Sequence, residues 1–287
     1  GPGGEIVFEN ALYTANLWAV DPAGGPAKDA SWPSTRYTNE PEFSPDGMRV
    51  AFASNRDGTD AIYVADVGGD ARRVGFSEGY RYLRPHWSAD GRSVYAVRTL
   101  AAASPVSPSE AVRISLAGGP ADVLAALGPA VSDAREGPGG ILYWGERAGD
   151  AMQLMRAPLG DLARSERLPL PLVSQYQLSG MRLAFTQPHL EKVTLCRLET
   201  LACAPLKIEI APTGALHWAL TPRALYGRIV AHETLQLARF DLGTQAATRQ
   251  WDILPSGAGS SIAVTADERR IMVAKEQDPA IDLMIAR

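Results

Sequence analysis

Seven four-stranded antiparallel sheets set around a common axis, an all-β propeller, is the fold class that this 287-residue sequence predicts. Three observations carry that reading. Short runs of alternating apolar residues recur along the chain, and Gly and Pro punctuate them at turn spacing. No long stretch shows the 3.6-residue period of a helix.

The clearest unit is PEFSPDGMRVAFASNRDGTDAIYVADVGGDARRV, residues 41–74. Glu42-Phe43-Ser44 enters a turn at Pro45-Asp46-Gly47, where Pro presets φ and Gly accepts the positive φ that a Cβ resists. Residues 48–54 place Val50 and Phe52 on one face, as a half-buried strand does. A turn at 55–58 leads to a third strand, 61–67, with Ile62 and Val64 inward, and Gly68-Gly69 turns into a fourth around Arg72 to Val74. Such a sheet is too small to stand alone.

The unit recurs in columns. Val50 has counterparts at Ile6, Val94, Ile141, Leu183, Leu225 and Ile271, at spacings of 44, 44, 47, 42, 42 and 46 residues. Phe52 is matched by Phe8, Tyr143, Phe185 and Val273. Ile62 aligns with Leu17, Val112, Leu154, Leu195, Leu237 and Leu283. Both full columns count seven, at the spacing of propeller blades. Blades therefore start near residues 5, 40, 84, 129, 173, 214 and 258, within one domain spanning 1–287. Six blades plus an irregular start is the alternative.

PEFSPDGMRVAFASNRDG and PHWSADGRSVYAV are similar to the Ser-Pro-Asp-Gly repeats of TolB-type β-propellers, and weaker copies extend over nearly the whole chain. Later copies keep fragments only, such as Gln177-Leu178-Ser179-Gly180 and Thr221-Pro222-Arg223. The resemblance implies the propeller fold and an extracytoplasmic domain of a larger protein.

Composition bounds the function. A net charge of −4, with no Lys/Arg block, argues against nucleic acid as partner. No apolar run is long enough to span a bilayer, so this segment is not expected to insert in a membrane. The opening Gly1-Pro2-Gly3-Gly4 mirrors Gly137-Pro138-Gly139-Gly140; it reads equally as native sequence cut inside a blade or as a protease scar. The first copy lacks its first strand and the last ends after its third, which predicts an excised piece whose ring is left open at an unpaired edge.

The inter-blade loops carry Arg36-Tyr37 and Arg81-Tyr82 in comparable places, a residue combination favoured at protein interfaces. Loops between second and third strands share that rim, so Arg56, His189 and His232 are expected beside them as a binding surface for a protein or peptide. With Glu191 and Glu233 nearby, His189 and His232 resemble a two-His, carboxylate metal set, but no close His pair exists and no metal site or cofactor is expected. Aligning the innermost strands gives a polar column of Glu42, His86, Ser132, Gln175 and His217, expected to line the axial channel. A bulky column of Phe43, Trp87, Tyr176 and Trp218 should wedge between blades.

Cys196 ends a third strand and Cys203 begins a fourth, across the short turn at 198–201. In that hairpin the two residues face each other at a separation a disulfide spans. A disulfide favours an oxidising compartment, periplasmic or extracellular.

No GxSxG elbow, HExxH, Walker loop or Rossmann fingerprint occurs, and no catalytic residue is expected. Two function classes follow. One is a non-catalytic binding or sensory propeller of a signalling or envelope protein. The other is the substrate-gating propeller of a prolyl-oligopeptidase-like hydrolase whose catalytic residues lie in another domain.

Overall fold

The computed structural model describes residues 6–30, 37–102, 108–124, 127–128, 130–189, 192–210, 218–231, 234–252 and 261–286. In chain order, β1 (Ile6–Val20) and β2 (Lys28–Asp29) precede a first complete sheet, β3 (Thr38–Phe43), β4 (Arg49–Ser54), β5 (Ala61–Asp66) and β6 (Ala71–Gly75). The second contains β7 (Tyr80–Trp87), β8 (Ser93–Leu100), β9 (Ser109–Ser115) and β10 (Asp122–Val123). β11 (Val131–Gly137), β12 (Ile141–Ala148), β13 (Ala151–Pro158) and β14 (Glu166–Arg167) make the third. The fourth has β15 (Gln175–Ser179), β16 (Arg182–Thr186), β17 (Lys192–Arg197) and β18 (Cys203–Glu209). The fifth has β19 (Trp218–Leu220), β20 (Ala224–Ala231), β21 (Thr234–Asp241) and β22 (Ala247–Trp251). β23 (Ile262–Val264) and β24 (Ile271–Ala286) pair with β1 and β2 in the order β2-β1-β24-β23, which is the sixth.

The propeller thus has six blades, not seven, and its ring is closed rather than open. The correction lies at the two chain ends. Sequence columns divide 6–20 into a second and a third strand, and 271–286 likewise. Neither segment has a Gly in the place where a hairpin would turn, so each runs through as one long strand, and the two pair with each other from Ile6↔Ala286 to Val20↔Ile271. What reads as two incomplete blades is one blade with strands from both ends. A bulge at Leu12/Thr14 is the interruption in that ladder.

Each seam between blades holds one apolar cluster, because alternation along every middle strand sends residues to both faces. Val50 and Phe52 pack on Leu17, Met272 and Ala274 of the closing blade. Ala51 and Val64 meet Trp87, Val94 and Val112 of blade two. Tyr176 and Phe185 pack on Tyr143 and Leu154, and Trp218 packs on Ile208 of blade four. Phe43, Trp87, Tyr176 and Trp218, the bulky column, all lie in these seams.

The turns after β3, β7 and β23 are built by their own side chains. Ser44 Oγ donates to Asp46 Oδ1 at 2.5 Å, and that carboxylate accepts from Met48 N at 3.0 Å. Ser88 with Asp90 and Thr265 with Asp267 repeat the arrangement. Gly47 and Gly91 take φ of 69° and 66°, where only Gly is unstrained. Arginines tie four of the first-to-second-strand turns to their neighbours: Arg49 Nη2 donates to Gly91 O at 2.8 Å, Arg182 Nη1 to Pro222 O at 2.7 Å, Arg223 Nη2 to Asp267 O at 3.3 Å, and Arg270 Nη1 to Gly47 O.

Candidate functional site: the axial channel

Innermost strands of a propeller are sheet edges. Their backbone groups face the axis, and each must find a partner or meet solvent. Here they surround a cavity of about 370 Å³, within the range of ligand pockets. It is lined along β3, β7 and β23, in part by β11, β15 and β19, and at its mouth by turn residues Pro45, Ala89, Gly180, Pro222 and Ala266. The mouth lies on the rim of first-to-second-strand turns, opposite the rim of the inter-blade loops.

The wall has two halves. Blades one to three contribute Glu40, Glu42, Arg84, His86, Arg135 and Glu136; blades four to six contribute Gln177, Leu178, Ala219, Leu220, Ile262 and Val264. In the charged half His86 is buried between two carboxylates. Its Nδ1 bonds Glu42 Oε2, and its Nε2 lies 2.7 Å from Asp133 Oδ1, an ion-pair contact without the alignment of a hydrogen bond. Asp133 also pairs with Arg135 at 3.2 Å, and Arg135 stacks on Tyr176 at 5.2 Å. Three blades are joined through this one imidazole.

Electrostatics follow from that packing. Burial disfavours the His86 imidazolium and Arg135 opposes it too, but Asp133 and Glu42 outweigh both and hold its pKa above the ordinary value. Burial pushes Glu42 and Asp133 up, yet the facing cations and hydrogen bonds win and both carboxyls are depressed. Glu40 goes the other way: burial exceeds the pull of Arg84 and raises it. Glu40 and Arg84 occupy equivalent bulges in β3 and β7, each with φ of 55°, a left-handed conformation costly for a residue with a Cβ.

Side chains along the innermost strands cap the edge of the neighbouring blade. Glu42 Oε1 accepts from Trp87 N at 3.0 Å; Gln177 Oε1 accepts from Leu220 N at 3.0 Å while its Nε2 donates to Trp218 O at 2.6 Å. Glu136 Oε2 accepts from Ala89 N at 3.0 Å.

Glu42 and His86 line the cavity as residues of the expected channel column. Ser132 and Gln175 are not among its lining residues; Glu136 and Gln177 hold the register of Glu42 there instead. Ser132 Oγ donates to Gly145 O at 3.1 Å. In blade three the bulge at Val131/Asp133 and a turn of only three residues, Pro138–Gly140, shift the alignment, and in blade four only four residues lie between Leu178 and Leu183, where blade one uses six between Phe43 and Val50. His217 lies outside the described residues, as do Arg36 and His232.

On the opposite rim the expected surface residues are held in different ways. Tyr82 is fully buried and bonds Ser77 Oγ at 2.8 Å, so it presents no surface to a partner. Arg56 lies 4.8 Å over the Tyr63 ring and 5.2 Å over Phe52. Tyr37 and Arg81 are half-buried, and His189 is exposed, 3.6 Å from Asp150. Among the described residues no group of three or more His, Cys, Asp or Glu is placed to hold a metal ion. Cys196 and Cys203 face each other across β17 and β18 with Cα atoms 4.0 Å apart and are joined as a disulfide.

No family model matches the sequence. The chain is 39% identical over 144 residues to Tricorn protease homolog 1 of Streptomyces coelicolor, a match covering 49% of this chain and 13% of that protein. It is 33% identical over 98 residues to the uncharacterized peptidase YuxL of Bacillus subtilis, covering 33% and 15%. These matches span only about one-seventh of each relative. Among solved structures, TolB from Acinetobacter baumannii superposes with a TM-score of 0.63 at 17% identity, over 93% of this chain and 66% of that one. A putative TolB from Agrobacterium tumefaciens gives 0.68 at 11% identity, over 92% and 99%. A chain of a nidogen/laminin complex gives 0.60 at 12% identity, over 91% and 98%. The fold is that of a TolB-type β-propeller.

Proposed function

We propose that this chain is a non-catalytic recognition propeller, the extracytoplasmic part of a signalling or envelope protein, and that it binds a protein or peptide partner in the axial channel through its turn-lined mouth. The observation that carries this reading is the 370 Å³ cavity, where charged side chains and strand edges converge on a rigid ring. Propeller neighbours that include TolB and a nidogen/laminin complex favour protein binding, and the Cys196–Cys203 disulfide favours an oxidising compartment. No helix among the described residues is long and apolar enough to cross a membrane.

The second reading, a propeller that gates substrate for a peptidase domain, is favoured by the two peptidase relatives. Any hydrolysis would then need residues beyond this propeller.

Peptides selected on the isolated chain by phage display distinguish the surfaces. Binding is expected to be lost when Ala89→Trp and Ala266→Trp, both at exposed turn positions, narrow the mouth, and to persist when Arg56→Glu and Arg81→Glu alter the opposite rim. Loss in the second variant alone would move the site to that rim. Cleavage of a selected peptide by the isolated chain would overturn the non-catalytic reading.

A further inference from the structure

Most charges in the channel wall are already committed. His86 is taken by Glu42 and Asp133, Arg135 by Asp133 and the Tyr176 ring, and Glu136 by Ala89 N. Arg84 is different. It lines the cavity from a strained bulge, and its backbone N–H donates to Glu40 Oε2 at 2.6 Å. Its guanidinium is close enough to Glu40 and Asp133 to feel both charges, yet among the described residues no acceptor or carboxylate lies in contact with it. A guanidinium offers five donors in a planar fork that matches a carboxylate.

The opposite wall has an uncommitted edge as well. Ala274 N donates to Ser261 O, and Thr265 N to Arg270 O, so residues 261, 263 and 265 point their backbone groups at β24. By the alternation of an antiparallel ladder, the N–H and C=O of Ile262 and Val264 point the other way, along the open edge of β23. In blades two and five the equivalent groups are capped by Glu42 and Gln177. The residue that would cap β23 is Ala219, which has no group to do so; among the described residues no side chain takes its place.

We infer that the channel ligand is an extended peptide segment with a carboxylate, which adds its backbone to the free edge of β23 and sets the carboxylate on Arg84. This rests on the reading of the channel as the binding site and names the chemistry of what enters. Strand addition supplies affinity independent of sequence, and the charge contact supplies selectivity. The apolar wall of Leu220 and Ile262 suits a ligand whose other side chains are aliphatic.

Two pools of blocked, dye-labelled hexapeptides test the inference by fluorescence anisotropy: one with a central aspartate among aliphatic residues, the other with asparagine in its place. The aspartate pool should bind at least about tenfold tighter, the scale of one charged hydrogen bond. Arg84→Gln should reduce that ratio to near one without unfolding the chain, and Arg84→Lys should keep part of it. Amide exchange at Ile262 and Val264 should slow in the complex. Equal binding of both pools, lost on narrowing the mouth, would overturn the carboxylate anchor while leaving the channel reading intact. A preference surviving in Arg84→Gln would do the same. Absent binding, or binding insensitive to the narrowed mouth, would overturn both.

Discussion

Arg49 leaves β4 of the first blade and donates to the carbonyl of Gly91 in the turn of the second, 2.8 Å away, with its guanidinium 4.7 Å over the Trp87 ring. One side chain thereby satisfies an orphan carbonyl and covers an aromatic wedge. Arg182, Arg223 and Arg270 make the corresponding reach in three other seams.

Arg49→Met should therefore cost about 2 kcal/mol, the scale of a hydrogen bond to a charged donor. Arg49→Lys should recover less than half, since an ammonium lacks the plane that stacks on Trp87. Denaturant unfolding measures both; a loss within 0.5 kcal/mol for Arg49→Met, the usual range of a surface change, would deny the staple a structural role.

The His86 cluster sets a pH window. With its folded pKa above the ordinary imidazole value of about 6.5, His86 contributes fully below that value, and the contribution falls as pH rises through the folded pKa. Glu42 and Asp133 have depressed pKa values, so their contribution is complete above the ordinary carboxylate range near 4 and falls as pH drops through their folded values. His86→Gln should cost about 3 kcal/mol at pH 6, as expected for removing one partner of a buried pair, and should flatten the alkaline side of the profile. Urea midpoints measured from pH 4 to pH 10 check this; an alkaline limb unchanged in His86→Gln would assign it to another group.

Much of this was legible in the residues. The apolar columns, the Ser-x-Asp-Gly turns and the facing cysteines are local patterns, and each reads directly from spacing. Blade count was not, because it depends on whether 9–15 turns or continues, and pairing with the distant segment 276–286 decides that. The channel column slipped at blade three, where a bulge and a shortened turn put Glu136 rather than Ser132 in the register of Glu42, and at blade four, where Gln177 rather than Gln175 holds it. The arginine staples do carry a sequence signal: Arg49 and Arg182 each stand two residues after the turn glycine, at Gly47 and Gly180. Arg84 has no such signal, since only the folded wall reveals that its neighbours are committed elsewhere.

The Cys196–Cys203 bridge closes a short loop, with a sequence separation of 7. Short loops restrict the unfolded chain least, so reduction should cost only about 2 kcal/mol and leave the propeller folded at room temperature. Comparing thermal unfolding with and without a reductant measures it. Two free thiols in non-reduced peptides of native material would remove the internal argument for an oxidising compartment.

Ring closure by strands from both ends is the claim on which the six-bladed channel depends, and a cross-link tests it most directly. Asn16 and Lys275 are paired across β1 and β24, within the reach of a disulfide. Asn16→Cys with Lys275→Cys, oxidised at high dilution, should form an intramolecular bridge in nearly every molecule and raise the melting temperature. Were these residues on separate blades of a seven-bladed or open ring, the two thiols would stay free, and that result would contradict the closed six-bladed structure.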